Sequence, residues 1–181
     1  MLRRACADAL SRHQTHRSVI NISIGSPTYY VLDNAIRAAV QETNITIVAA
    51  AGNSDWPVSG ISPAGSPDVL AIGSVSASDT RSSFSNYGPG ISVFAPGEAI
   101  LSSCIGESNN QTCEMSGTSM SSPFVAGLAA YFMHVYGPHT NLQMRERIEG
   151  WATKGKIQNG TGEGLKGSPN RIAFNGNWAE F

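Results

Sequence analysis

The order of apolar runs along this chain predicts an α/β fold, a mostly parallel sheet covered by helices. Two observations carry the prediction. Short apolar runs of strand length recur at 18–24, 45–51, 69–75 and 91–95, and a segment with helical apolar spacing separates the first two. Strand, helix, strand at this spacing is a βαβ unit, whose crossover makes its strands parallel.

The elements follow in order. "MLRRACADALSRHQTHRS" reads as a helix that begins without a cap; with four arginines but no apolar block, it does not read as a signal peptide. "SVINISI" (18–24), closed by Gly25, Ser26 and Pro27, reads as a buried strand. "TYYVLDNAIRAAVQETN" (28–44) spaces Val31, Leu32, Ala35, Ile36, Ala39 and Val40 along one helical face. "ITIVAAA" (45–51) reads as a second buried strand, ending in Gly52-Asn53. Further strands are expected at "VLAIGSV" (69–75), "ISVFA" (91–95) and "AILSSC" (99–104). The helix after Ser119 is apolar on nearly all sides and is expected to run through the interior. An amphipathic helix from Asn141 to about Thr153 and a glycine-rich, mostly irregular tail complete one α/β domain over 1–181, with no linker inside it.

Composition narrows the function. Apolar residues make up 41%, charged residues 14%, and the formal net charge is -1, which argues against nucleic acid or an anionic membrane as partner. The longest apolar stretch, around Phe124 to Met133, is far shorter than the ~20 residues that span a bilayer.

Of three cysteines, Cys104 and Cys113 bracket a polar loop and are candidates for a small disulfide ring. Cys6 is left for a partner elsewhere or remains a free thiol. The alternative is three reduced cysteines in a cytosolic protein. Sequons at Asn44, Asn110 and Asn159 fall in expected loops or element ends and favour secretion. Asn21-Ile-Ser also fits the pattern, but in an expected buried strand it reads as a chance match.

Ligands gather at the carboxyl ends of parallel strands, and three features point to that edge. Gly25-Ser26 and Gly52-Asn53 leave the first two strands there, and Ser119 opens a helix, where N–H groups favour negative charge. A serine that passes negative charge to a carbonyl oxygen suits such a place, and the Asn53 amide is a natural oxyanion donor. Taken singly, the serine is equally a helix cap and the asparagine a turn residue.

Jointly, the motifs point further. "VAAAGN" (48–53), "SSFSNYGP" (82–89), "VFAPG" (93–97) and "SGTSMSSPFVAGLAAY" (116–131) resemble, in order and rough spacing, the subtilisin family of serine proteases. "INISIG" (20–25) is similar to that family's strand beside bound substrate, and "SPNRIAFN" (168–175) to its closing segment. The resemblance implies a three-layer subtilisin-like fold and an endopeptidase. It implies Ser119 as nucleophile and Asn53 as oxyanion side chain. Ser23, Ile24 and Gly25 would form a backbone rail for an extended peptide. Ala50, Ala51 and Gly52 would wall the pocket for the residue before the scissile bond.

The family's Asp and His, which complete its triad, have no counterpart here: neither Asp-(Ser/Thr)-Gly nor His-Gly-Thr-His-Val-Ala-Gly occurs. His134 lies fifteen residues along the serine's helix, roughly 22 Å away at ~1.5 Å per residue. His139 is farther on, His13 and His16 precede the first strand, and the five aspartates match no better. In subtilisin, the measured example of this family, losing the serine or histidine costs on the order of 10⁶ in turnover, leaving roughly 10³ over water. The chain alone is therefore expected to be essentially inactive. It corresponds to about the back two-thirds of such a catalytic domain, truncated at the N-terminus, with the base supplied from upstream sequence.

Partners expected by resemblance are polypeptide substrates and the protein's own pro-segment or upstream part, in an extracellular setting. No cofactor is expected. Many relatives hold a structural calcium on backbone carbonyls near "SPDVL" and on an aspartate after the Ser-Asn-Tyr-Gly motif. Pro67 and Val69 fit the first, but the second falls at about Ser92, which supplies no carboxylate. Two rivals stand beside the protease: a non-catalytic peptide-binding relative, and the acid proteases of similar fold that use an aspartate for the oxyanion, against which Asn53 weighs.

Overall fold

A computed structural model describes residues 2–106, 109–158 and 164–177. Helix α1 (Leu2–Ser11) leads to strand β1 (Val19–Ile22), the two-residue strand β2 (Ser26–Pro27) and helix α2 (Tyr30–Thr43). Strands β3 (Thr46–Ala50), β4 (Ile61–Ser62), β5 (Leu70–Val75) and β6 (Ile91–Pro96) come next, followed by β7 (Ile100–Ser103) and β8 (Thr112–Met115). Helices α3 (Thr118–Tyr136) and α4 (Asn141–Trp151), then strands β9 (Thr153–Lys154) and β10 (Arg171–Ile172), complete the order.

The main sheet runs β1-β3-β5-β6-β10-β9, parallel throughout except for β9. Because side chains alternate across a strand, β3 sends Ile47 and Ala49 to one face and Val48 to the other. Ile36 and Ala39 of α2 and Cys6 and Ala9 of α1 cover the first face. Val125, Ala129 and Phe132 of α3 and Met144 and Ile148 of α4 cover the second. The expected three layers are therefore present. Each fully buried Ile, Val or Phe contributes about 1.5–3 kcal/mol, so the sheet is held from both sides.

Two expectations change. The run 18–24 is not a buried strand: β1 stops at Ile22, lies at the sheet edge and is half-buried, with Asn21 exposed. Among the described residues Asn21 is exposed, so burial there does not set its sequon aside. Helix α3 does not run through the interior. It crosses the sheet with one face buried, leaving Phe124, Tyr131 and Val135 exposed. The tail is mostly irregular, as expected, with only the two-residue strands β9 and β10 added to the sheet beyond β6. The run 99–104 is a strand, β7, but it pairs with β8 in a hairpin outside the main sheet.

Candidate active site

Ser119 is the second residue of α3, reached from hairpin β7–β8 through Gly117. N–H groups in this first turn have no acceptor inside the helix. Thr118 fixes the turn: its N–H donates to Asn53 Oδ1 at 2.9 Å, its hydroxyl donates to the same oxygen at 2.8 Å, and the hydroxyl accepts from Gly52 N–H at 3.0 Å. With Oδ1 doubly engaged, the Asn53 amide group presents its NH2 on the Ser119 side. A Cβ added at Gly117 would come 3.1 Å from that nitrogen, so glycine there keeps the donor accessible.

The helix is also fastened to the end of β1. Pro123 has no N–H to give to the carbonyl four residues back, and that carbonyl, Ser119 O, accepts instead from the Ser23 hydroxyl at 3.1 Å. Ser23 Oγ also accepts from Asn21 Nδ2 at 2.9 Å and lies 2.8 Å from Ser122 Oγ. The Ser119 hydroxyl donates to Ser23 O at 3.0 Å.

The Asn53 loop leaves β3 by a sharp bend. Gly52 has φ +105°, and a Cβ there would collide with the side-chain amide of Asn86, so glycine is required on both counts. Asn86, fully buried, pins the bend. Its Oδ1 accepts from Ser54 N–H at 3.1 Å and Trp56 N–H at 2.9 Å, and its Nδ2 donates to Ala51 O at 2.8 Å. One residue beyond Ser54, Asp55 accepts from Lys166 at 2.6 Å and Arg81 at 3.0 Å. The Lys166 hydrogen bond first, and Arg81 after it, hold this carboxyl below its ordinary pKa.

Ser119 and Asn53 line a groove of about 510 Å3, together with Ser23, Ile24, Gly25, Ala50 and Gly52. Sequence reasoning had grouped all of these. Ala51 departs from the expectation: its side chain is fully buried in the α2-side core, because it follows Ala50 in an extended chain and so faces the other way. Trp56 and Ile24, both well exposed, rim the groove. Among the described residues no histidine or carboxylate lines it. His139 N–H donates to His16 O at 3.0 Å beyond the far end of α3, and His139 Nε2 accepts from Arg147 at 2.7 Å.

The profile of the Subtilase family matches residues 3–166. The chain belongs to the subtilase family. A subtilisin-like serine protease from Sarocladium strictum is 42% identical over 94% of this chain and 42% of that protein. Alkaline protease 1 of Aspergillus clavatus is 40% identical over 95% of this chain and 41% of that protein. The chain thus spans about two fifths of these relatives. A solved structure of a cold-adapted subtilisin-like serine proteinase superposes with TM-score 0.81 at 34% identity, covering 88% of this chain and 55% of that one.

Elsewhere in this subtilase chain, Cys104 and Cys113 are free thiols close enough that Cys113's hydrogen bond raises the Cys104 pKa. Cys6 is buried between α1 and α2, where burial raises its thiol pKa. Asn44 is exposed in a left-handed cap of α2 and Asn110 is exposed beside the β7–β8 hairpin, while Asn159 lies outside the described residues. No helix among the described residues is long and apolar enough to cross a membrane. Sequence reasoning quoted "SSFSNYGP" and Thr118 only as parts of motifs and assigned neither Asn86 nor Thr118 a task. An asparagine that satisfies three backbone groups of a distant loop has no periodic signature.

Proposed function

We propose that this chain supplies the nucleophile and the oxyanion donors of a secreted subtilisin-like serine endopeptidase. The observation that carries the reading is the double anchoring of Asn53 Oδ1 by Thr118, which turns the Asn53 NH2 toward Ser119. Ser119 attacks the scissile carbonyl. The Asn53 NH2 and the Ser119 N–H bind the resulting oxyanion, and each such donor is worth about 10²–10³ in turnover. The exposed backbone at 23–25 holds an extended stretch of polypeptide as an added strand.

The base comes from sequence upstream. Two features support this: among the described residues the groove holds no titratable partner for Ser119, and β1 leaves one strand edge without a partner. By itself the chain is inactive on peptides. The likeness to alkaline proteases and the exposed sequons support an extracellular setting. The protein's own upstream or pro-segment is its first partner, and polypeptides are its substrates.

Peptide hydrolysis by the protein carrying its upstream sequence tests this, alongside Ser119→Ala and the 181-residue chain alone. Activity in the first and its loss in the other two is expected; equal hydrolysis by Ser119→Ala ends the proposal. The Ser119 hydroxyl bonded to Ser23 O, rather than to a base, favours a second reading, a peptide-binding module without catalysis. Tight peptide binding by both parent and Ser119→Ala, with no hydrolysis by the longer protein, would establish that reading instead.

A further inference from the structure

The peptide 67–69, just before β5, is held by one polar stripe of α4. Asn141, Arg145 and Glu149 recur every fourth residue and so share a face. Asn141 Nδ2 donates to Asp68 O at 2.9 Å, and Asn141 Oδ1 accepts from Ile47 N–H at 3.3 Å. Arg145 reaches further. One guanidinium nitrogen donates to both Pro67 O, at 2.9 Å, and Val69 O. The other donates to Ser92 Oγ of β6 at 2.8 Å and lies 3.5 Å from Glu149 Oε1. Glu149 in turn accepts from Arg171 of β10 at 2.7 Å.

Pro67 O, Val69 O and the position of Ser92 are the places where the subtilisin resemblance implies a structural calcium. Calcium needs six to eight oxygens at roughly 2.3–2.6 Å, with carboxylates among them. Here both carbonyls and the Ser92 hydroxyl are turned to a guanidinium, and residue 92 brings no carboxylate. The donor set does not fit the ion. It fits a planar monocation whose N–H groups diverge toward several acceptors.

We propose that Arg145 is a built-in cation that replaces calcium at this position. It fastens the 67–69 turn to β6 and α4 by charge-assisted hydrogen bonds, and stability here does not depend on free calcium. The exchange is coupled: an aspartate at 92 would favour a divalent ion, and the arginine excludes one by occupying its place.

The test is thermal unfolding of the native protein, each variant measured in excess EDTA and in millimolar calcium. Arg145→Gln should lower Tm by roughly 5–10 °C in EDTA, since several charge-assisted bonds are lost, and calcium should not restore it. Arg145→Lys should lie between, as a point charge cannot reach all three acceptors. The double variant Ser92→Asp with Arg145→Gln should gain a calcium-dependent rise in Tm beyond any shown by the parent. Should Arg145→Gln not fold, the lysine variant and the double variant in calcium still decide the matter. The proposal is overturned if Ser92→Ala abolishes a calcium response in the parent. It is equally overturned if Arg145→Gln and Arg145→Lys melt with the parent, or if the double variant responds to calcium no more than the parent does.

Discussion

Replacing Asn86 by alanine should loosen the oxyanion loop more than any exposed change nearby. The side chain is fully buried and satisfies three backbone groups: Ser54 N–H, Trp56 N–H and Ala51 O. The first two belong to exposed residues, where water can substitute, and their loss costs about 1 kcal/mol each. Ala51 is fully buried, so its carbonyl goes unpaired at about 1–3 kcal/mol. The sum is about 3–5 kcal/mol, or roughly 6–20 °C in Tm for a chain of this size. Urea unfolding followed by tryptophan fluorescence measures it, with exposed Ser83→Ala as the control, expected within about 0.5 kcal/mol of the parent. Because Asn53 rides on the same loop, Asn86→Ala in the catalytically complete protein should also lower turnover by about 10² through misplacement of the donor. A midpoint within about 0.5 kcal/mol of the parent would refute the pinning role assigned to Asn86.

Other predictions bear on the site and its surroundings. Asn53→Ala in the complete protein should cut kcat by about 10²–10³, with KM little changed in steady-state peptide hydrolysis; equal loss in both parameters' ratio through KM alone would contradict a transition-state role. Asp55 is held below the ordinary carboxylate range when folded, so the unfolded state binds more protons and stability rises with pH through that range. The contribution is present above the unfolded pKa and is lost as pH falls through the folded one. At 39% exposure, solvent screening holds it to about 0.5–1 kcal/mol. Asp55→Asn should remove that acid sensitivity in urea midpoints measured from about pH 5 downward through and below the ordinary carboxylate range. In an oxidising medium Cys104 and Cys113, unbonded in the structure, should join, giving a nonreduced mass two hydrogens lighter, with both sulfurs alkylated only after reduction. Alkylation of both without reductant would show that they stay apart.

The layers were legible because periodicity reports burial. Runs at 45–51, 69–75 and 91–95 are strands buried on both faces, and Ile36 and Ala39 mark the side of α2 that meets them. The same logic failed where burial depends on neighbours the pattern does not contain. The run 18–24 carries the β-branched signature of a strand yet lies at an edge among the described residues, and the apolar circumference of α3 leaves Phe124, Tyr131 and Val135 uncovered. At the site, Ser119, Asn53, Ser23 and Gly25 were readable from motif order. Arg145 and Asn86 were not, because each acts through backbone carbonyls and amides remote in sequence, and a carbonyl leaves no mark in the residue alphabet.

The central claim is that Ser119 becomes a nucleophile once upstream residues supply its base. The most direct measurement is to treat the native protein with a fluorophosphonate, then determine its intact mass, N-terminal sequence and the labelled peptide. The account predicts one adduct, on Ser119, in a protein whose sequence ahead of this chain carries the missing aspartate and histidine. A native protein that begins near Met1 and leaves Ser119 unlabelled would contradict it.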